Sequence, residues 1–178
     1  MNAGQRPSFA VVVAVMLTAL LEVLDVSVVN VSLPHMIGAF GATPDQITWT
    51  ITSYMISTAV VMPLTGYFSA RFGRRNVLLT AISGFVVASG LCGAAWSLPS
   101  MVVFRLAQGA FGAVLIPLSQ TVLLDAFPRE KHGKAMAIWS IAIMVAPIVG
   151  PTIGGYITEQ YVWRWVFYLN VPLGLIAL

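Results

Sequence analysis

Five mostly apolar runs, each about 20 residues or longer, constrain this chain more than any other feature of its sequence. A helix rises ~1.5 Å per residue and the hydrocarbon core of a bilayer is ~30 Å thick, so a run of this length can cross it. The runs cover residues 9–33, 47–68, 77–96, 101–124 and 135–157, and a sixth covers 165–178, where it is still apolar and incomplete. We therefore predict an all-α integral membrane protein.

Charge and patterning exclude other classes of protein. Charged residues make up only 8% of the 178 residues, whereas soluble domains carry roughly 25%. The apolar runs are solid and do not alternate every second residue, which argues against a β-barrel. The basic residues form no stripe that could bind nucleic acid. The single cysteine, Cys92, cannot form an internal disulfide and is interpreted as a small core residue.

The ends of the spans indicate how the chain crosses the membrane. Thr43, Pro44 and Gln46 have the spacing of a helix-starting capping box, and Pro99 is placed to open the fourth span. Tryptophans at predicted span ends are expected to keep one side in water; they are Trp49, Trp96, Trp163 and Trp165. One set of connections carries seven basic residues: Arg6, Arg71, Arg74, Arg75, Arg129, Lys131 and Lys134. The opposite set carries only Arg164, so residues 1–8 are predicted to be a cytoplasmic N-terminus.

Three charged side chains fall inside the spans: Glu22 and Asp25 in the first, and Arg105 in the fourth. Each costs roughly 2.5–3.5 kcal/mol at the centre of a bilayer. With ~1.5 Å of rise per residue, Asp25 lies roughly 14 Å below Pro34 and Arg105 roughly 9 Å below Pro99. We therefore predict that Arg105 reaches Asp25 or Glu22, which share one helix face.

Two interpretations of these intramembrane charges remain open. An Asp–Arg pair can simply fix how the helices pack. Alternatively, because two carboxylates share one arginine, one of them can be a protonatable group beside a water-accessible cavity. Asp125, at the end of the fourth span, is interpreted as a solvated boundary residue.

Small residues mark two helix faces where another backbone is expected to approach closely. In the fourth span Arg105, Gln108, Gly109 and Gly112 share a face. In the fifth span the same i, i+3, i+4, i+7 spacing places four residues on one face, with Gly155 adjacent; they are Pro147, Gly150, Pro151 and Gly154. Gly150 and Gly154 form a G-x-x-x-G close-packing motif. The two prolines are expected to bend or loosen the fifth helix.

The sequence lacks the common motifs of enzymes and ATPases. There is no GxxxxGK[ST], HExxH or GxSxG, and its two histidines are far apart, in different loops. We therefore expect no ATP hydrolysis, no metal site, no cofactor and no enzymatic activity in this chain.

Four segments follow one another as family motifs, at residues 24–34, 66–75, 105–109 and 146–155, and residues 163–174 continue the pattern. In order, they resemble the first-helix signature, the loop motif between helices two and three, the fourth-helix motif implicated in proton transfer and the fifth-helix antiporter motif of the major facilitator superfamily. Within that superfamily the chain is similar to the N-terminal half of the EmrB-type fourteen-helix drug:proton antiporters.

The resemblance implies a fold and a mechanism. The fold would be an N-terminal six-helix bundle of two inverted three-helix repeats, with the sixth helix truncated and the C-terminal half absent. The activity would be proton-driven export of lipophilic drugs or toxic small molecules by alternating access, from the plasma membrane (the bacterial inner membrane). In a two-membrane envelope, a periplasmic adaptor and an outer-membrane channel would be partners.

The resemblance also implies roles for particular residues. Proton and substrate coupling would fall to Glu22, Asp25, Arg105 and Gln108. Helix packing during rocking would depend on Pro147, Gly150, Pro151, Gly154 and Gly155. The cytoplasmic gate loop would comprise Gly66, Arg71, Gly73, Arg74 and Arg75. Ala70 departs from the motif, which usually has an acid there, so that gate contact is not expected; the arginines are free to pair elsewhere or with anionic membrane lipids.

Three other functions are weighed against proton-driven export. An uptake permease of the same fold is disfavoured by the fifth-helix motif. A membrane enzyme acting on lipids would need a nucleophile or metal constellation, and the sequence offers none. A non-transporting scaffold would have no use for charges inside the bilayer. The sequence does not select between Glu22 and Asp25 as the proton carrier, nor between twelve and fourteen helices.

Overall fold

The computed structural model describes residues 9–178, so Arg6 and the predicted cytoplasmic segment 1–8 lie outside the described residues. The described residues form helices and short loops, with no strand among them. We number the helical units α1 to α6: Phe9–Phe40, Pro44–Phe72, Arg74–Gly93, Leu98–Ala126, Arg129–Gln160 and Trp165–Ala177. The first five are long and apolar enough to cross a membrane, and α6 is shorter. The predicted all-α membrane architecture is confirmed.

Helix α1 does not end at Pro34, where the depth estimate placed its outer end. It continues through the proline to Phe40 and stops at Gly41, whose φ is +60°. The Ala42 N–H donates to the Ile37 carbonyl at 3.1 Å. This six-to-one bond across a left-handed glycine is a Schellman motif. The motif ends the helix at Phe40, whereas Pro34 does not end it.

The predicted helix starts are confirmed. The Thr43 hydroxyl accepts from the Gln46 N–H at 3.3 Å, and the Gln46 side chain accepts from the Thr43 N–H at 3.0 Å. Ser97 caps α4 in the same way, with Pro99 in the first turn. These reciprocal bonds satisfy backbone donors that a helix start leaves without partners.

Prolines lie at or just after breaks in α2, α4 and α6, but those of α5 do not break that helix. In α6 the break is at Leu169, three residues before Pro172. In α2, Pro63 lies in a 3-10 turn, Met62–Leu64. In α4 the helix is interrupted at residues 113–114, where Pro117 has no N–H to donate to the carbonyl four residues earlier. In α5 the helix runs without a break from His132 to Gln160 through both of its prolines, so the expected loosening is not seen as a helix break.

The packing partners follow the predicted inverted repeat. Helix α1 packs along α5, and α2 packs along α4; α3 packs on α4, and α6 packs on α1. If α1, α2 and α3 exchange places with α4, α5 and α6, the α1–α5 pair becomes the α4–α2 pair, and the α3–α4 pair becomes the α6–α1 pair. Successive spans run in opposite directions, so the two triples are inverted. As a result α1 and α4, the first helix of each triple, meet at the centre of the bundle.

One tryptophan at the outer ends of the helices differs from expectation. Trp49, Trp96 and Trp165 are exposed as predicted, but Trp163 is only 5% exposed and packs against Phe40 and Phe167, with ring centroids 5.2 and 6.3 Å away.

Arg164, the exception to the charge asymmetry, also has a structural explanation. Its Nη1 donates to the Gly93 and Ala95 carbonyls at 2.7 and 2.6 Å. These are carbonyls at the C-terminal end of α3, where a helix leaves acceptors without partners and favours a positive charge.

Candidate functional site

A buried polar cluster lies where α1, α4 and α6 meet. We call it the Asp25 cluster; it comprises Glu22, Asp25, Tyr54, Ser89, Cys92, Arg105, Gln108 and Asn170. It joins residues from five of the six helices, and no member is more than 8% exposed. Polar side chains in such an apolar interior persist only when they are hydrogen-bonded.

Arg105 forms the predicted contact with α1. Its Nη1 donates to Asp25 Oδ2 at 2.7 Å and to Gln108 Oε1 at 2.8 Å, and its Nε donates to the Thr50 carbonyl at 3.2 Å. Its guanidinium carbon lies 4.1 Å from the centre of the Tyr54 ring. The cation is therefore held from α1, α2 and its own helix.

Asp25 is bound on both of its carboxylate oxygens. Oδ2 accepts from Arg105, while Oδ1 accepts from Gln108 Nε2 at 2.9 Å and from Asn170 Nδ2 at 2.6 Å. Asp25 and Arg105 are each 1% exposed, so the whole pair is removed from solvent. Breaking such a buried pair by removing one partner strands the other charge.

Glu22 occupies a different environment one turn away on α1. Its Oε1 accepts from the Tyr54 hydroxyl at 3.3 Å, and Arg105 forms its ion pair with Asp25. At 8% exposed, Glu22 is also the most exposed of the three intramembrane charges. The single arginine therefore pairs with one of the two carboxylates.

Four members of this cluster were not predicted from the sequence: Tyr54, Ser89, Asn170 and Cys92, which was interpreted only as a small core residue. Asn170 bridges to Ser89 Oγ at 2.9 Å, and that hydroxyl donates to the Phe167 carbonyl at 2.9 Å. Asn170 stands in an otherwise strongly apolar run, and that isolation was the signal available in the sequence.

The cluster contains one cation and two carboxyl groups. Arg105 keeps its charge in proteins, and the carboxyl groups belong to Asp25 and Glu22 of α1. Among residues 9–178 there is no group of three His, Cys, Asp or Glu side chains able to hold a metal ion.

A groove of about 610 Å³ lies elsewhere, between α2, α3 and α4, and is lined mainly by apolar side chains such as Val61, Phe68 and Phe111.

The glycines of α5 face α1, the helix that carries Asp25. A Cβ added to Gly150 would lie 2.5 Å from Ser27 Oγ, and one added to Gly154 would lie 2.9 Å from Val28 Cγ1. Gly155 is open, with its nearest atom 4.0 Å away. Pro147 and Pro151 lie on the exposed side of the helix.

Glycine also allows close packing between α4 and α2. Gly109 of α4 lies against Tyr54 and Ser57 of α2, and its carbonyl accepts from the Thr58 hydroxyl at 3.2 Å. A Cβ at Gly112 would lie 2.7 Å from the Tyr54 hydroxyl. The predicted small-residue face of α4 is thus the packing surface for α2.

The predicted gate loop joins α2 to α3 at Gly73, whose φ of +83° favours glycine. Gly66, Ala70, Arg71, Arg74 and Arg75 are all exposed. Arg74 forms an ion pair with Asp125 at the end of α4. Asp125 is itself exposed, as expected of a boundary residue, and its ion pair with Arg74 also binds the loop to α4.

Comparison with known proteins agrees with this architecture. Residues 15–178 match the Major Facilitator Superfamily. Multidrug export protein EmrB of Haemophilus influenzae is 45% identical over 162 residues, which cover 91% of this chain and 32% of that protein. Fatty acid resistance protein FarB of Neisseria gonorrhoeae is 44% identical over 161 residues, covering 90% and 32%.

A solved structure shows the same fold at low identity. The xylose transporter XylE from E. coli, in its inward-open conformation, superposes with a TM-score of 0.82 at 20% identity, over 95% of this chain and 46% of that one. The chain spans about a third of the length of the curated relatives it matches. The chain belongs to the Major Facilitator Superfamily, in which it is similar to the N-terminal part of EmrB-type transporters.

Proposed function

We propose that the full transporter containing this chain exports lipophilic small molecules in exchange for protons. The observation that carries the proposal is the fully buried Asp25–Arg105 pair, bonded to Gln108 and Asn170, at the meeting point of α1, α4 and α6. Charges cost roughly 2.5–3.5 kcal/mol each at the centre of a bilayer, which makes an intramembrane ionisable site a functional hypothesis by default. The similarity to proteins named for multidrug export and fatty acid resistance supports amphiphilic, apolar substrates.

Proton binding would weaken the contact between the first helices of the two repeats. When Asp25 is ionised, its charge attracts Arg105 across the α1–α4 interface. When a proton neutralises it, Arg105 keeps the Gln108 oxygen, the Thr50 carbonyl and the Tyr54 ring but loses its counterion. A change of charge at this position therefore biases two arrangements of the helices, which is what alternating access requires.

The same proposal covers orientation, location and partners. The exposed basic residues of the α2–α3 and α4–α5 connections support a cytoplasmic position for those loops and for residues 1–8. Residues 9–178 would form the N-terminal bundle of an inner-membrane transporter, with spans close to those predicted. A periplasmic adaptor and an outer-membrane channel are proposed as partners by analogy with the EmrB-type relatives.

The test is dye export by the full-length protein in proteoliposomes with an imposed pH gradient. Asp25→Asn and Glu22→Gln are compared with wild type and with Glu130→Gln, an exposed loop carboxylate that serves as the matched control. We expect wild type and the control to respond to the gradient, and Asp25→Asn to lose that response. If both cluster variants track the gradient as wild type does, these carboxylates are structural. Proton-driven accumulation in the direction of uptake would support the permease alternative.

A further inference from the structure

Asn170 binds the ionised form of Asp25 from a distant part of the chain. It lies on α6, is 0% exposed, and its Nδ2 donates to Asp25 Oδ1 at 2.6 Å and to Ser89 Oγ at 2.9 Å. An ionised carboxylate only accepts, and the Ser89 proton is used in the bond to the Phe167 carbonyl. Both neighbours of Asn170 therefore require its nitrogen, which fixes the orientation of the amide.

The oxygen of the same amide has no donor. Among residues 9–178, Asn170 Oδ1 is one of two buried side-chain nitrogen or oxygen atoms without a hydrogen-bond partner. Leaving a buried acceptor unpaired costs about 1–3 kcal/mol, and such an atom needs an explanation. This unpaired oxygen belongs to the side chain whose nitrogen donates to Asp25, the proposed proton site.

Protonation of Asp25 would supply the missing donor. A proton on Oδ1 makes that oxygen a donor toward Asn170, while its remaining lone pair still accepts from Gln108 Nε2. The Nδ2 hydrogens of Asn170 then face another donor. The terminal torsion of asparagine is broad and roughly two-fold, so the amide can turn. The turn presents Oδ1 to Asp25 and moves Nδ2 to the position that Oδ1 leaves. Ser89 can then redirect its hydroxyl from the Phe167 carbonyl to the same oxygen.

Gln108, the other amide on Asp25, cannot take this role without breaking a second set of contacts. Its Oε1 already accepts from Arg105 Nη1 at 2.8 Å and from Cys92 Sγ at 3.4 Å. Because the arginine keeps its charge, it holds the Gln108 amide in one orientation. Asn170 carries no such constraint on its oxygen.

We propose that Asn170 is a positioning residue whose amide reverses when Asp25 gains a proton, so that the charge of Asp25 on α1 is transmitted to α6 and, through Ser89, to α3. The inference rests on the proposed function in taking Asp25 as a proton site. The proton comes from solvent, the Asp25 carboxylate gains it, and Arg105 stays protonated. The ionisable groups around Asp25 are Glu22 of α1, Tyr54 of α2, Cys92 of α3 and Arg105 of α4.

The test is the infrared carbonyl stretch of protonated Asp25 in the full-length protein, measured as a difference between acidic and alkaline pH. A band that disappears in Asp25→Asn is assigned to Asp25. In Asn170→Leu we expect this band to move to higher wavenumber, because the acid O–H loses its acceptor. The matched control is Gln120→Leu, which removes an amide whose contact is the Met136 sulfur; there the band should stay in place.

An unshifted Asp25 band in Asn170→Leu overturns the inference while leaving the proposed proton site intact. If no band disappears in Asp25→Asn, the proton site itself is wrong and the role of Asn170 falls with it. Asn170→Ser is the second variant should Asn170→Leu fail to insert. Its shorter hydroxyl does not reach Asp25, so the same upward shift is expected.

Discussion

Adjacent glycines of α5 provide a matched test of close helix packing. A Cβ at Gly154 would lie 2.9 Å from Val28 Cγ1 and 3.2 Å from the Val28 Cα and carbonyl oxygen, so backbone stands in its way. At Gly155 the nearest atom is 4.0 Å away. Gly→Ala in a helix interior gains about 1 kcal/mol from propensity, while overpacking costs about 1–3 kcal/mol. Gly155→Ala should therefore stabilise the protein, and Gly154→Ala should be about 1–3 kcal/mol less stable than Gly155→Ala.

The measurement is equilibrium unfolding of the full-length protein in mixed micelles, together with dye export. Gly154→Leu should abolish export while the protein still inserts, since a bulky side chain must push α5 away from α1. Gly150 offers an internal check, because its close contacts are the Ser27 side chain: Ser27→Gly should relieve Gly150→Ala. Equal stabilities for the two alanine variants at 154 and 155 would refute the assignment of this face to α1.

The remaining predictions concern topology and two arginines. Cysteine at Arg74 should label only from the cytoplasm and cysteine at Thr43 only from outside; labelling of both from one side would contradict the topology. Arg105→Ala should cost about 3–5 kcal/mol of unfolding free energy, because it strands a buried carboxylate. Arg164→Ala should cost about 1.5–3 kcal/mol, as charge-assisted bonds to carbonyls are lost. Lys131→Ala, which changes an exposed loop residue, is the control for both arginine variants. If chemical denaturation gives the arginine variants the same loss of unfolding free energy as Lys131→Ala, these contacts do not stabilise the protein.

Much of the fold could be predicted because a bilayer leaves few choices. A run of about 20 apolar residues must satisfy its own backbone, so it becomes a helix. The capping box at Thr43 uses atoms three residues apart, and the contact of Arg105 with a carboxylate follows from similar depths on neighbouring helices. The first two inferences need only distance along one helix, whereas the third also takes from the inverted repeat that α1 and α4 are neighbours.

Two predictions made from local sequence signals were wrong: the end of α1 and the exposure of Trp163. The sequence predicts that α1 ends at Pro34, but a proline removes one donor without reversing the chain direction, and the left-handed Gly41 stops the helix instead. Trp163 has the sequence position of an interfacial tryptophan, yet Phe40 and Phe167 enclose it.

Hydropathy and residue spacing are sufficient to show that this chain crosses a membrane as helices, which residues are too polar for that environment, and where glycine permits close approach. The packed bundle was needed to show that Asp25 rather than Glu22 pairs with Arg105, and that Asn170, 145 residues away, completes the carboxylate's hydrogen bonds. The physical reason is that hydropathy and helical period fix depth and facing for each helix alone. The partner of a buried polar group depends on which helices lie side by side, and packing of the whole bundle settles that.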